Sequence, residues 1–386
     1  MSAPGKGRIG VAGAGTMGAG IAQLGCLGGY EVVLTDPDPG ALATGADRLR
    51  QALAKGAGRG LWDPGEAAQA EGRLTTASFG ELAGCDLVVE AAPEDLALKR
   101  RLFAELEATC GPDAVLATNT SSLSVTDIAA ETARPERVVG MHFFNPPALM
   151  KLVEVVAGER TADMALDLVE RVARHMDRES VRATDSPGFI VNRCNRPFSL
   201  EALRMLGDGV ASHAQIDWVM RERGDYRMGP FELLDLIGVD VNLEVARSFY
   251  AQRELARWEP HPIQAEMVAT GRLGRKTGAG FYRYENGRKL KPEPASAETE
   301  DDERILERIV AALVNESSFA VAEGVAAEDD VDTAMRLGLN HPRGPFEWRS
   351  ELGAGRIVDV LDDLASRDDT ERYEVESSLR ALAGAS

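Results

Sequence analysis

A histidine, a carboxylate and a glycine-rich turn are the residues of this 386-residue chain whose types and spacing could carry chemistry. The first two lie in Val138 to Val156, VVGMHFFNPPALMKLVEVV. A predicted apolar strand delivers His142, the run Phe143-Phe144-Asn145-Pro146-Pro147 turns the chain, and a second strand over Lys151 to Val156 carries Glu154. Returned side by side, the two strands would set Glu154 opposite His142. A carboxylate on one ring nitrogen fixes the tautomer and raises the basicity of the other, which is what general acid–base catalysis needs. A lone histidine among apolar residues is also a common core residue, so the spacing leaves both readings open. The other histidines, His175, His213, His261 and His341, have no such setting and read as structural or exposed.

The glycine-rich turn lies in Arg8 to Asp36, RIGVAGAGTMGAGIAQLGCLGGYEVVLTD. A short apolar run leads into Gly13-x-Gly15-x-x-Gly18, an apolar helical pattern follows, and a β-rich run from Glu31 to Thr35 ends on Asp36. Strand, turn, helix and strand in this order are the context a dinucleotide-binding fingerprint requires. Gly13 permits the tight turn, Gly15 the close approach of a pyrophosphate, and Gly18 close helix–strand packing. The N–H groups of Thr16 and Met17, opening the helix, are placed to hold phosphate with the help of its dipole. Asp36 can accept both hydroxyls of a ribose and would repel a 2′-phosphate. The neighbouring Pro37-Asp38 supplies no cation to receive one, so NAD is expected rather than NADP.

These residues need a scaffold, and the chain is long enough for two or three domains. Strand candidates at Leu74 to Thr76, Leu87 to Glu90 and Val115 to Thr118 alternate with helical patterns, including one entered through Pro93-Glu94-Asp95. That alternation predicts a parallel sheet with ligands at the carboxyl ends of its strands. Glu90, Glu94 and Ser121 fall at or just after such ends. A helix from Asp163 to Met176 and an edge strand from Ser180 to Ala183 complete the region, and Asp185-Ser186-Pro187-Gly188 breaks the pattern. From Phe189 on the chain is helical and poor in strands. The expected fold is an α/β Rossmann domain over 1–185 followed by two all-α domains, 186–284 and 304–386, joined by a polar linker over 285–303.

The two helical domains repeat one another. Gly209-Val210 matches Gly324-Val325, Asp217 matches Asp332, and Gly229-Pro230-Phe231-Glu232 matches Gly344-Pro345-Phe346-Glu347, all at a constant offset of 115. An ungapped register through that many special residues marks a duplicated helical unit. At the same offset Asn192 falls on Glu307, so the second copy keeps the scaffold without that amide.

The net charge of −19, with no offsetting basic block, argues against a nucleic-acid partner. No apolar run is long enough to span a bilayer, and the opening MSAPGKGR holds no apolar segment, so a cytoplasmic location is expected. Four cysteines without CxxC spacing suit reduced thiols, and no metal-ligand spacing is present.

Taken together, GAGTMGAGIA, VVEAAPEDLALK, NTSSL, HFFNPPALMKLVEV, DSPGFIVNR, MGPFELLDLIG and GRKTGAGFY resemble the 3-hydroxyacyl-CoA dehydrogenases, in particular the 3-hydroxybutyryl-CoA type with a duplicated C-terminal domain. The resemblance covers almost the whole chain. It implies His142 as the catalytic base, Glu154 as its partner, and Ser121 and Asn192 as contacts to the substrate oxygens. It further implies NAD contacts from Glu94, Lys99, Ser121, Asn145 and Lys276, beside the glycines and Asp36. The implied substrate is an acyl-CoA thioester, oxidised at an (S)-3-hydroxyl or formed in the reverse reaction. Family members often carry several lysines on the helix after the ribose-binding acid. Here that stretch reads Thr44-Gly45-Ala46-Asp47, with Arg48, Arg50 and Lys55 nearby, so either these shifted cations meet the CoA phosphates or CoA binds more weakly or in a different place. No segment resembles an enoyl-CoA hydratase, and a single activity is expected. A dehydrogenase of a free hydroxy acid, of the gulonate or carnitine type, would share the Rossmann domain and the His–Glu pair. A catalytically silent NAD-binding protein is the other alternative. The duplicated domain leads to the expectation of a monomer in which the two copies pair within one chain.

Overall fold

The computed structural model describes residues 7–290 and 298–385. Two units divide the chain between Phe189 and Ile190.

The first unit is built on β1 (Arg8–Ala12), α1 (Thr16–Leu27), β2 (Glu31–Thr35), α2 (Pro39–Gly58), α3 (Pro64–Gly72) and β3 (Leu74–Thr76). It continues with β4 (Leu87–Glu90), α4 (Leu96–Thr109), β5 (Val115–Thr118), α5 (Val125–Ala129), β6 (Val138–Phe143), β7 (Leu152–Ala157), α6 (Asp163–His175) and β8 (Glu179–Thr184). The strands form one sheet in the order β3-β2-β1-β4-β5-β6-β7-β8. Its first six positions are those of a doubly wound dinucleotide-binding sheet, and they pair in parallel. Every residue of β4, β5 and β6 is buried, as strands covered on both faces must be. The β6–β7 pair is antiparallel, and β8 lies parallel to β7 at the edge with alternating burial. The core runs through Ile9, Val11, Leu34, Val89, Val139 and Val155 of the sheet and out to Ile21, Leu49 and Val169 of the helices.

The second unit opens with α7 (Val191–Cys194), α8 (Arg196–Gly207), α9 (His213–Glu222), α10 (Pro230–Ile237), α11 (Val239–Arg253) and α12 (Pro262–Ala269). Where the sequence reads a linker from residue 285, Tyr284–Glu285 (β9) and Arg288–Lys289 (β10) pair as a hairpin, with Asn286 and Gly287 at positive φ in the turn. Residues 291–297 of that stretch lie outside the described residues. The helices then resume as α13 (Asp302–Ala322), α14 (Glu328–Leu339), α15 (Pro345–Leu352), α16 (Ala354–Ala365) and α17 (Ser377–Gly384).

The offset of 115 holds in three dimensions. α9 and α14, α10 and α15, α11 and α16, and α12 and α17 each begin at residues related by it. Asp217 accepts the Phe231 and Glu232 N–H groups at 2.9 Å each, and Asp332 accepts those of Phe346 and Glu347 at 2.8 and 3.1 Å. The helix-opening glycines Gly229 and Gly344 share φ near −75°.

The copies also meet through reciprocal contacts. Arg193 binds Glu316 at 2.8 Å, and its counterpart Arg308 binds Glu201, the counterpart of Glu316, at 3.0 Å. Trp258 donates to Glu316 at 2.9 Å, and Tyr373, in the equivalent place, donates to Glu201 at 3.1 Å. Among the described residues no helix is long and apolar enough to cross a membrane.

Candidate active site

The candidate site of the first unit gathers where its strands end. β6 and β7 pair in a register that sets His142 directly opposite Glu154. His142 Nδ1 lies 2.6 Å from Glu154 Oε2, with the histidine 5% exposed and the carboxylate fully buried. The Phe144 and Phe189 rings stand 4.5 and 5.9 Å from the imidazole and wall that side of it. Such a pair is strong because its charge-assisted bond is shielded from water. With Nδ1 committed to Glu154, Nε2 is the nitrogen left to exchange a proton.

A second cluster forms where β4 and β5 end. Glu90, fully buried, accepts Lys99 Nζ at 2.6 Å, the Ala92 N–H at 2.6 Å and the Thr118 hydroxyl at 2.7 Å. Lys99 is 1% exposed and lies 3.4 Å from Glu94 as well, so its charge is spent on holding the two carboxylates. The sequence pattern places Glu94 and Asp95 in the first turn of a helix. α4 instead starts at Leu96, because Asp95 caps it by accepting the Leu98 N–H at 2.8 Å. Glu94 is thereby freed to reach across to the loop after β5. It accepts the Thr120 hydroxyl at 2.6 Å, the Ser121 N–H at 2.9 Å and the Ser122 N–H at 3.1 Å. Burial works against its charge, but the Thr120 bond, the Lys99 charge, the Ser121 N–H and the Ser122 hydroxyl outweigh it and hold the carboxyl below its usual range. Ser121 is thus presented by a fixed loop.

Two residues given no role in the sequence reading join these parts. Asn119 Oδ1 accepts the Phe143 N–H at 2.9 Å, fastening the β5 loop to the end of β6. Asp185 accepts the Ser124 hydroxyl at 2.7 Å and the Val125 and Thr126 N–H groups, seating the start of α5. Position immediately after a strand was the available signal for Asn119; Asp185 shows its role only through tertiary contact.

The glycine turn has the shape that a pyrophosphate needs. A Cβ at Gly18 would fall 1.8 Å from the Gly13 carbonyl oxygen, and one at Gly13, whose φ is +113°, would lie 2.7 Å from Ala91 O. Gly15 by contrast has open space around it, on the side where α1 presents the unpaired N–H groups of its first turn. Asp36 directly follows β2, its carboxylate oriented by the Ala14 and Asp38 N–H groups at 2.8 and 2.9 Å. Thr16 is exposed and Met17 half-buried on that turn, and Asn145 is exposed in the loop after β6. These residues fit a dinucleotide. On α2, Gly45 and Ala46 are buried against the turn, Arg50 is bound to Asp47, and Arg48 and Lys55 are exposed.

Asn192 and Lys276 belong to the second unit. Asn192 lies on α7, and the exposed Lys276 pairs with Asp240 at 2.6 Å.

Residues 8–186 match the family described as 3-hydroxyacyl-CoA dehydrogenase, NAD binding domain. Residues 188–284 and again 305–385 match the C-terminal domain of the same family. The chain is 36% identical to a 3-hydroxyadipyl-CoA dehydrogenase of Escherichia coli, the match covering 97% of each chain. It is 40% identical to a 3-hydroxybutyryl-CoA dehydrogenase of Clostridioides difficile, over 72% of this chain and 99% of that one. A crystal structure described as 3-hydroxybutyryl-CoA dehydrogenase from Escherichia coli superposes with a TM-score of 0.91 at 34% identity, covering 98% of each chain. With these matches and the geometry of its strand ends, the chain belongs to the 3-hydroxyacyl-CoA dehydrogenase family and is an NAD-dependent enzyme of it.

Proposed function

We propose that the chain interconverts short-chain (S)-3-hydroxyacyl-CoA and 3-ketoacyl-CoA with His142 as acid and base and Glu154 as its partner. The observation that carries this reading is the buried 2.6 Å contact between them at the carboxyl end of β6. In oxidation, His142 Nε2 takes the proton of the 3-hydroxyl, and the Glu154 carboxylate steadies the imidazolium that results. In reduction the imidazolium returns that proton. Ser121, on the loop pinned by Glu94, and Asn192 hydrogen-bond the substrate oxygens and fix the reacting carbon. Bound NAD supplies the hydride acceptor. Gly13, Gly15, Thr16, Met17 and Gly18 would hold its pyrophosphate and Asp36 its ribose, and Asn145, Lys276, Ser121 and the Glu94–Lys99 cluster would supply further contacts. Arg48 and Lys55, exposed on α2, are the cations offered to the CoA phosphates.

The domains on this reading run over 1–185, 186–284 and 304–386. The reciprocal Arg193–Glu316 and Arg308–Glu201 contacts support a pairing of the two copies about a two-fold axis, as in an isologous dimer, so the chain acts as a monomer in the cytoplasm. The relatives' names divide between an adipyl and a butyryl thioester, and the acyl chain is a short one. NADH oxidation measured with acetoacetyl-CoA and with acetoacetate tests the proposal. Turnover confined to the thioester is expected; a preference for the free acid would overturn it in favour of a hydroxy-acid dehydrogenase.

A further inference from the structure

At the start of the second unit a helical stripe of two half-buried and two buried residues is polar. Asn195, Arg196 and Ser199 follow Asn192 at spacings of three, four and seven, which places all four on one helical face. The junction between α7 and α8 does not break that face, because Asn195 itself keeps helical dihedrals, φ −83° and ψ −8°. Arg196 is 6% exposed, yet among the described residues its Nε and Nη1 have no hydrogen-bond partner, nor has Asn195 Oδ1. The Phe249 ring lies 5.1 Å from its guanidinium, and burial lowers its pKa to about 10 with no carboxylate opposing the shift. An arginine enclosed without an anion is costly to keep.

The duplication shows that the fold does not require it. The stripe's counterparts in the second copy are Glu307, Val310, Ala311 and Val314. The last three are buried to 0%, 1% and 0% exposure, so the same helix packs with hydrocarbon there. Only the copy that carries Asn192 carries the arginine.

We infer that Arg196 receives a carboxylate at the far end of the acyl chain. The preferred substrate is then the CoA monothioester of a 3-hydroxy dicarboxylic acid. This rests on the reading of Asn192 as a contact to the substrate oxygens. From Asn192 to Arg196 the helix rises about 6 Å, a distance that a few methylene groups cover. A planar guanidinium grips a carboxylate through two parallel N–H bonds, from Nε with Nη2 or from Nη1 with Nη2, and either mode gives an acceptor to one of the donors that lack one.

The test is kcat/KM of the full-length enzyme for 3-hydroxyadipyl-CoA and for 3-hydroxyhexanoyl-CoA, equal in carbon number and differing in the terminal carboxylate. Wild type should favour the adipyl thioester. Arg196→Ala, the side chain that the second copy accommodates, should lower that preference on the order of 10- to 100-fold, chiefly through KM. Arg196→Lys, which keeps the charge and loses the fork, should fall between. A preference unmoved in both variants overturns the assignment. So does an equal loss on both thioesters, the result if Arg196 served packing or the CoA moiety. If wild type turns over neither thioester, the thioester reading itself fails and this inference with it.

Discussion

At the scale of single residues, the proposed acid–base pair rests on a 2.6 Å contact that leaves His142 Nε2 as the nitrogen to exchange a proton. Glu154 occupies His142 Nδ1, so a side chain that hydrogen-bonds there but cannot carry the proton isolates the chemical step. His142→Gln should lower kcat by roughly 10²–10⁴ while NADH affinity, measured by fluorescence titration, changes little. Near wild-type turnover would remove His142 as the base. Asp36 allows an equally direct test, since its carboxylate is held by the Ala14 and Asp38 N–H groups at the end of β2. Asp36→Ala removes a ribose acceptor and the repulsion of a 2′-phosphate together. The NAD preference over NADP should narrow by about 1.5–3 kcal/mol, read as the ratio of kcat/KM values for the two cofactors. An unchanged ratio would assign cofactor choice to another residue. Both side chains could be picked out in the sequence because their neighbours in the chain build their settings. Lys99 was named only through the family resemblance; that α4 carries it into a buried position between Glu90, at the end of β4, and Glu94, in the loop before α4, shows in the structure alone.

At the scale of elements, alternation of apolar strands with amphipathic helices was enough to read the sheet, and the Pro146-Pro147 turn enough to read the β6–β7 return. Boundaries were harder. The start of α4 moved because Asp95 capped it, and the run after residue 284 paired as β9 and β10 although its composition is that of a linker. The repeated Asp217 and Asp332 cap α10 and α15 from a neighbouring helix, and that carries a pH dependence. Burial raises Asp217 from 3.8 to about 7, against the pull of its N–H bonds from Phe231 and Glu232, and raises the less enclosed Asp332 to about 6. A carboxyl raised in the folded state binds its proton more tightly there than when unfolded. Its contribution is therefore complete below its ordinary pKa of 3.8 and is lost as pH rises through about 7. From about pH 5 to about pH 8, Asp217 should cost the fold on the order of 2 kcal/mol. Asp217→Asn cannot ionise, so its urea-unfolding free energy should differ less between those two pH values than that of wild type. An equal difference in both proteins would refute the raised carboxyl.

At the scale of the whole molecule, the duplication decides what state the chain can occupy. The sequence offset of 115 disclosed the two copies, but not how they meet, because Arg193 and Glu316 are related by no local pattern. Each contact has its counterpart: Arg193 reaches Glu316 and Glu323, while Arg308 reaches Glu201 and Asp208, the equivalent acids of the first copy. On the proposed pairing this reciprocity satisfies within one chain the surface that an isologous dimer would use, so light scattering should report a monomer. Truncation after residue 290 breaks the arrangement in a defined way. Arg193, fully buried in the intact chain, loses both of its acids, and Glu201 loses Arg308 and Tyr373. Leaving one member of a buried ion pair without its partner costs about 3–5 kcal/mol. The truncated chain has one way to recover that energy. Arg193 of one copy can take Glu201 of another, since Glu201 stands where Glu316 stood. The product should therefore run as a dimer, or aggregate, and Arg193→Glu within the truncated chain should abolish the dimer by setting like charges together. A truncated protein that remains monomeric, soluble and fully active would show that the second copy is dispensable and that the first is stable unpaired.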